Sequence, residues 1–204
     1  MKMTFNKMLL ASSLAALMTV GAAQAQDAPR VGVRGAITAI DGDAMHVKVN
    51  SGEDVTVNLT KDTLVRAVTL AKIEDIKPGS YIGSAAMPNA DGTLTALEVH
   101  VFPPAMAGTG DGHRAFDLKE GSSMTNGTVG DLVVSHGRTL TVKYKGGEQK
   151  IVVPDDVPIV NLEPGDRSLL KPGVKVVMFA AKGADGSVTA QAISAGKDGV
   201  TPPM

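Results

Sequence analysis

The chain has 204 residues, with 20 Lys and Arg against 21 Asp and Glu, no cysteine, no tryptophan, two tyrosines and four phenylalanines. So even a charge balance excludes the clustered basic surface that nucleic acid or an anionic membrane would require. The lack of cysteine excludes disulfides, thiol catalysis and thiolate metal sites, leaving a core of Val, Ile, Leu, Ala and Met to hold the fold.

Residues 1–25 have the layout of a signal peptide. Lys2 and Lys7 form a basic start, Met8 to Gly21 is apolar, and Ala23-Gln24-Ala25 is a small-x-small cleavage site. The apolar run of about 14 residues is shorter than the roughly 20 needed to span a bilayer as a helix. No cysteine stands at the cleavage site to be acylated. The expectation is an exported, periplasmic protein with no membrane span in the mature chain. Removing Lys2 and Lys7 with no acid leaves 18 basic against 21 acidic residues, a net charge of −3.

From Val31 the pattern becomes strand-like. Val31, Val33, Gly35, Ile37 and Ala39 alternate with polar positions, Asp41-Gly42 marks a hairpin, and Met45, Val47 and Val49 alternate in turn. Ser51-Gly52-Glu53 turns the chain into a third strand through Val55, Val57 and Leu59. Thr63 to Leu70 reads as a short strand and Leu70 to Ile76 as one helical turn, stopped by Lys77-Pro78-Gly79. Tyr81 to Met87 and Leu94 to Phe102 are strands separated by Asn89-Ala90-Asp91-Gly92.

A connector, 103–124, interrupts this plan with a Pro-Pro pair and alternating glycines, and the plan then repeats. Thr125-Asn126-Gly127 opens a strand, and Leu140, Val142 and Tyr144 alternate, followed by Ile151 and Val153. Pro158 to Leu162 matches the short strand and Leu169-Leu170 the helical turn. Lys171-Pro172-Gly173 matches Lys77-Pro78-Gly79, and Asp185-Gly186 matches Asp91-Gly92. The offsets are nearly constant: Gly35 to Gly127 is 92, Gly79 to Gly173 is 94, and Asp91 to Asp185 is 94. Such constancy indicates a tandem duplication. The expected fold is all-β: two small OB-like five-stranded β-barrels, 31–102 and 125–195, joined by an ordered connector and followed by a tail, 196–204. One continuous sandwich of eight to ten strands is the alternative. Phe102, Pro103, Pro104 and Phe116 are expected to pack at the junction.

The runs ALEVHVFPPAMAGTGDGHRAFDL (Ala96 to Leu118), MTNGTV (Met124 to Val129), KIVVPDDVPIV (Lys150 to Val160) and GKDGVTPPM (Gly196 to Met204) resemble a family of exported proteobacterial proteins of unknown function with OB-like domains. Its members often carry the label "metal ABC transporter permease". The resemblance implies the fold class and the exported address. The permease label conflicts with the sequence, which lacks several spanning segments, whereas a metal-handling partner of a transporter survives that objection.

Metal binding is the sharpest chemical reading. Leu97, Val99 and Val101 share one strand face, which places Glu98 and His100 together on the other. Asp111 and His113 follow beyond a Pro-Pro pair and a glycine run able to fold them back. Imidazole and carboxylate donors suit a divalent transition metal. The competing reading makes His100 a polar group on an exposed strand face and His113 a solvated loop residue. His46 and His136 read as solvated, and Met106 and Met124 as packing residues.

Other chemistries lack their signatures. Gly108-Thr109-Gly110-Asp111-Gly112 has no following Lys-Ser/Thr and no βαβ context, so it is not a phosphate loop. There is no G-x-S-x-G elbow, and Asp155-Asp156, flanked by Pro154 and Pro158, reads as a turn. A single-strand nucleic-acid groove would need stacked aromatics in a positive channel. The expectation is a non-enzymatic binding or envelope-associated protein, its partner an envelope protein or a small ligand. A periplasmic metal-binding accessory to transport, using Glu98, His100, Asp111 and His113, is the alternative.

Overall fold

Alternating apolar and polar residues become strands, each burying one face of its pleat. The computed structural model describes residues 30–133 and 138–204, which form fourteen strands and three short 3-10 turns. The first half supplies β1 (Arg30–Asp41), β2 (Ala44–Val49), β3 (Asp54–Asn58), β4 (Leu64–Leu70), β5 (Tyr81–Pro88), β6 (Leu94–Ala96) and β7 (Val99–Val101). The connector supplies β8 (Gly112–Ala115). The second half supplies β9 (Ser123–Val133), β10 (Thr139–Tyr144), β11 (Gly147–Val152), β12 (Ile159–Pro164), β13 (Lys175–Lys182) and β14 (Val188–Gly196). Turns Ile73–Asp75 and Arg167–Leu169 stand where the single helical turns are expected. The 1–25 segment and His136 lie outside the described residues. No helix among the described residues is long and apolar enough to cross a membrane.

The protein is all-β. Its fourteen strands form one hydrogen-bonded sheet, and within that sheet the pairing closes into two circuits. The first runs β13–β1–β2–β3–β14 and returns through the β14–β13 pair. The second runs β5–β6–β11–β10–β9 and returns through β9–β5. Each circuit therefore takes a three-strand meander from one sequence half and two strands from the other. This corrects the expectation that 31–102 and 125–195 would each close upon itself. The physical reason is that the duplicated halves present equivalent edges. Strand β1 can be completed by β13 as well as by β5, and the local pattern is the same in either case.

A pseudo-two-fold relation runs through the exchange. Ala36 opposite Lys175 has its counterpart in Thr128 opposite Tyr81. Arg66 opposite Ser194 has its counterpart in Val160 opposite His100. The Gly79 amide donates to Val129 at 2.8 Å, and the Gly173 amide donates to Ile37 at 2.8 Å. Even the hairpin chemistry repeats, since Asp91 accepts from the Thr93 amide and Asp185 from the Ser187 amide, both at 3.0 Å. The axis passes between antiparallel strands β4 and β12, where Val68 lies opposite Leu162.

Each circuit encloses its own core. Val33, Ile37, Met45, Val47 and Val57 pack with Val176, Met178 and Ile193 in the first. Ile82, Leu94 and Val99 pack with Val129, Leu140, Val142 and Ile151 in the second. Residues from both sequence halves thus interdigitate in each core. Burial of a Val, Ile or Met side chain contributes about 1.5–3 kcal/mol, so exchange is held by the largest favourable term in the fold. One face of the β4–β12 ribbon feeds both cores, through Val65 and Ile159. On its other face Val68, Val160 and Leu162 join Tyr81 and Phe102 in a third cluster, against which Met106, Val200 and Met204 pack.

Candidate ligand cavity at the junction

The expected Leu94-to-Phe102 strand is broken at Leu97-Glu98, where both amides turn toward the Ala85 carbonyl, at 2.7 and 3.4 Å. This bulge divides β6 from β7 and aims the Glu98 side chain inward. Glu98 is 0% and His100 3% exposed, so the expected wet face is a buried one. Strands β5 and β9 pair over this region and exclude water from it. Glu98 Oε1 accepts the Ala85 amide at 2.7 Å, and Oε2 accepts from His100 Nδ1 at 3.0 Å. Ser84 Oγ donates to the Glu98 carbonyl at 2.7 Å. The pair is thus a satisfied buried unit, and the carboxylate fixes the imidazole with its proton on Nδ1.

The other edge of the imidazole lies over Gly83. A Cβ there would fall 2.1 Å from His100 Nε2 and 2.6 Å from Asn126 Oδ1, so only glycine admits this approach. Phe102 meets the His100 ring edge-on, with centroids 4.9 Å apart. Asn126 Nδ2 donates to the Thr109 carbonyl of the connector at 3.1 Å. That bond sets the orientation of the amide and turns Oδ1 back toward Gly83 and His100. There Oδ1 is buried and has no hydrogen-bond partner.

These groups stand in the wall of a cavity of about 290 Å³. Its position follows from the exchange: β9 and the adjoining β7 supply Asn126 and His100, whereas β14 of the other circuit and the adjoining β4 supply Ser194 and Arg66. Connector residues Thr109, Arg114 and Phe116 and the C-terminal Met204 border it. Phe116 packs against Phe179 of β13 at 6.0 Å, and both rings lie within 6 Å of the Arg34 guanidinium, at 5.8 and 5.6 Å. Arg34 binds Asp117 through two hydrogen bonds, of 2.7 and 3.2 Å, and donates from Nε to the Met204 backbone oxygen at 3.0 Å. It thereby ties the connector to the tail, and its hydrogen bonds hold the Asp117 carboxyl below the usual range. Phe102 and Phe116 do pack at the junction; Pro103 and Pro104 lead into the Pro104–Met106 turn.

The four expected metal donors are not gathered. Glu98 and His100 bind one another. Asp111 accepts the Lys145 amide at 2.7 Å, and His113 Nδ1 is 2.9 Å from Thr125 Oγ1 with its ring stacked on Tyr144. Among the described residues no three His, Asp or Glu side chains are disposed to hold a metal ion. His46 faces Thr56 and Asp41.

Two groups of the cavity were not singled out from sequence. Arg66 is the one charge in the apolar strand LVRAVTL, a signal that was available. Its guanidinium is half-buried, and desolvation lowers its pKa with no acidic neighbour to offset the effect. Asn126 carried no signal, because an Asn-Gly pair reads as a turn rather than as mid-strand.

Comparison with known proteins adds a family for part of the chain. Residues 34–100 match the model of a domain of unknown function, DUF5666. The matched segment runs from within β1 to His100 in β7, so the unit recognised in sequence is divided between two circuits in space. No curated protein and no solved structure matches the chain.

Proposed function

We propose that this is an exported, non-enzymatic binding protein, built of two OB-like barrels that have exchanged their last strand pairs, with the junction cavity as its binding site. The barrel reading is supported by five strands per circuit, arranged as a meander completed by two further strands. The exported address is supported by the basic, apolar and small-x-small layout of residues 1–25. The observation that carries the binding reading is a half-buried guanidinium without an acidic partner in a cavity walled by Phe102, Phe116 and Phe179. Folded proteins satisfy such groups internally or with water, and where they line a cavity a ligand is the natural complement. A binding role is favoured over a catalytic one because the Nε2 edge of His100 is packed over Gly83.

Fluorescence anisotropy of small naphthalene probes tests this reading, and the absence of tryptophan leaves the probe signal clean. The expected result is saturable one-to-one binding by the purified protein, abolished by Ala192→Phe, which fills the cavity from β14. Failure of every naphthalene probe to saturate would overturn the reading.

A further inference from the structure

We infer that the cavity takes a small oxyanion carried on an apolar body, with the acid group against Arg66. The inference rests on the binding reading above and names the chemistry of its ligand.

The first argument comes from the arginines. Arg34, Arg138 and Arg167 each meet an aspartate, Asp117, Asp155 and Asp43, at 2.7, 3.3 and 2.7 Å. Arg30, Arg66 and Arg114 border the cavity, and none has a carboxylate partner among the described residues. Arg114 is spent on the connector, donating to the Gly110 carbonyl at 2.8 Å. No Asp or Glu side chain of the described residues lines the cavity. Elsewhere in this chain a guanidinium is answered by an acid, and here the acid is left to the ligand. A guanidinium removed from water matches an oxyanion by paired, charge-assisted hydrogen bonds.

The second argument, independent of charge, is the wall itself. Phe179 is 40% exposed, a large apolar surface left open where Phe102 and Phe116 also face the same space. Three rings beside the guanidinium groups suit a flat or branched apolar body rather than a free inorganic ion. The volume of about 290 Å³ lies at the small end of the roughly 300–1,000 Å³ of ligand sites, which favours a compact molecule.

The test compares 2-naphthoate with neutral 2-naphthamide on the full chain by anisotropy. The expected result is that naphthoate binds at least about tenfold tighter, a preference weakened by salt and lost in Arg66→Gln, read as the ratio of the two affinities. Equal affinity of the two probes for the unsubstituted protein would overturn the anion assignment and leave the binding reading standing. Binding of neither would end both. Since the decisive comparison uses the unsubstituted chain, it holds even if Arg66→Gln misfolds. 2-Naphthyl phosphate and 2-naphthalenesulfonate on the same ring then rank phosphate and sulfonate against carboxylate as the preferred oxyanion.

Discussion

Replacing Glu98 with alanine removes an acceptor that two buried donors share. The Ala85 amide, at 2.7 Å from Oε1, and His100 Nδ1, at 3.0 Å from Oε2, would both be left without a partner in a region where Glu98 is 0% exposed. Each orphaned buried donor costs about 1–3 kcal/mol, and two are orphaned. The side chain also leaves a void between β5 and β7, so the expected loss for Glu98→Ala is about 3–5 kcal/mol. Glu98→Gln keeps the shape. Its carbonyl still accepts from Ala85, and its amide donates to His100 once the ring proton moves to Nε2, so the loss stays below about 1.5 kcal/mol. Urea unfolding followed by far-ultraviolet circular dichroism measures both, with midpoints compared at unchanged slope. The reasoning fails if Glu98→Ala lies within about 1 kcal/mol of the unsubstituted protein, because a typical surface substitution does as little. It fails equally if Gln costs as much as Ala, which would make volume rather than hydrogen bonding the cause.

Two further outcomes follow from the exchange and from the third cluster. In the Cys-free chain, Ala36→Cys with Lys175→Cys sits at directly opposed positions of β1 and β13, where antiparallel Cα atoms stand about 4.5–5.5 Å apart, within disulfide reach. The bond should form within one molecule under mild oxidation and, closing a loop of about 140 residues, stabilise it by up to about 5 kcal/mol on the chain-entropy account. Efficient bonding of Ala36→Cys with Tyr81→Cys instead, read by mass spectrometry after proteolysis, would mean that each half closes on itself. At alkaline pH, burial and the neighbouring Asp111 carboxylate push the Tyr81 phenol up to about 12 from its ordinary value of 10.0. The folded state then keeps a proton that the unfolded state releases, so stability is full below pH 10 and falls as the pH rises toward about 12. Tyr81→Phe should flatten that part of the stability profile while costing about 1 kcal/mol at neutral pH for the lost bond to the Thr109 carbonyl; an unchanged alkaline slope would assign it to other groups.

Much of the fold could be read from residue order. Period-two alternation located the strands, and Lys77-Pro78-Gly79 and Lys171-Pro172-Gly173 located equivalent bends whose glycines, Gly79 and Gly173, both have φ of 90°. What alternation cannot encode is partner choice between duplicated edges. A strand such as β1 carries the same pattern whether β5 or β13 completes it, and only the packing of whole cores decides. The site was legible to the same depth. The i, i+2 spacing of Glu98 and His100 put them on one face, which their 3.0 Å contact bears out. Whether that face was wet depended on β9 covering β5, a contact between residues about 40 apart in sequence. The pull of Asp111 and His113 toward Glu98 was an inference from glycine flexibility. Yet the connector is ordered by pairing of β8 with β9, which directs His113 to Thr125 and Asp111 to the Lys145 amide.

The pseudo-two-fold relation does not make the junction cavity symmetric, because the chemistry of related positions has diverged. His100 corresponds to Ser194 and Arg66 to Val160, as the matched β7–β12 and β14–β4 registers require. The same relation pairs Asn126 with Arg34: one secures the connector through Thr109, the other through Asp117. Arg66 therefore stands on one side of the axis only, on β4, and the His100–Asn126 side on β7 and β9. Strand exchange is what brings them together, since β4 reaches β14 and β12 reaches β7 only when the halves are interleaved. The cavity is therefore a property of the joined pair, and neither half carries it alone.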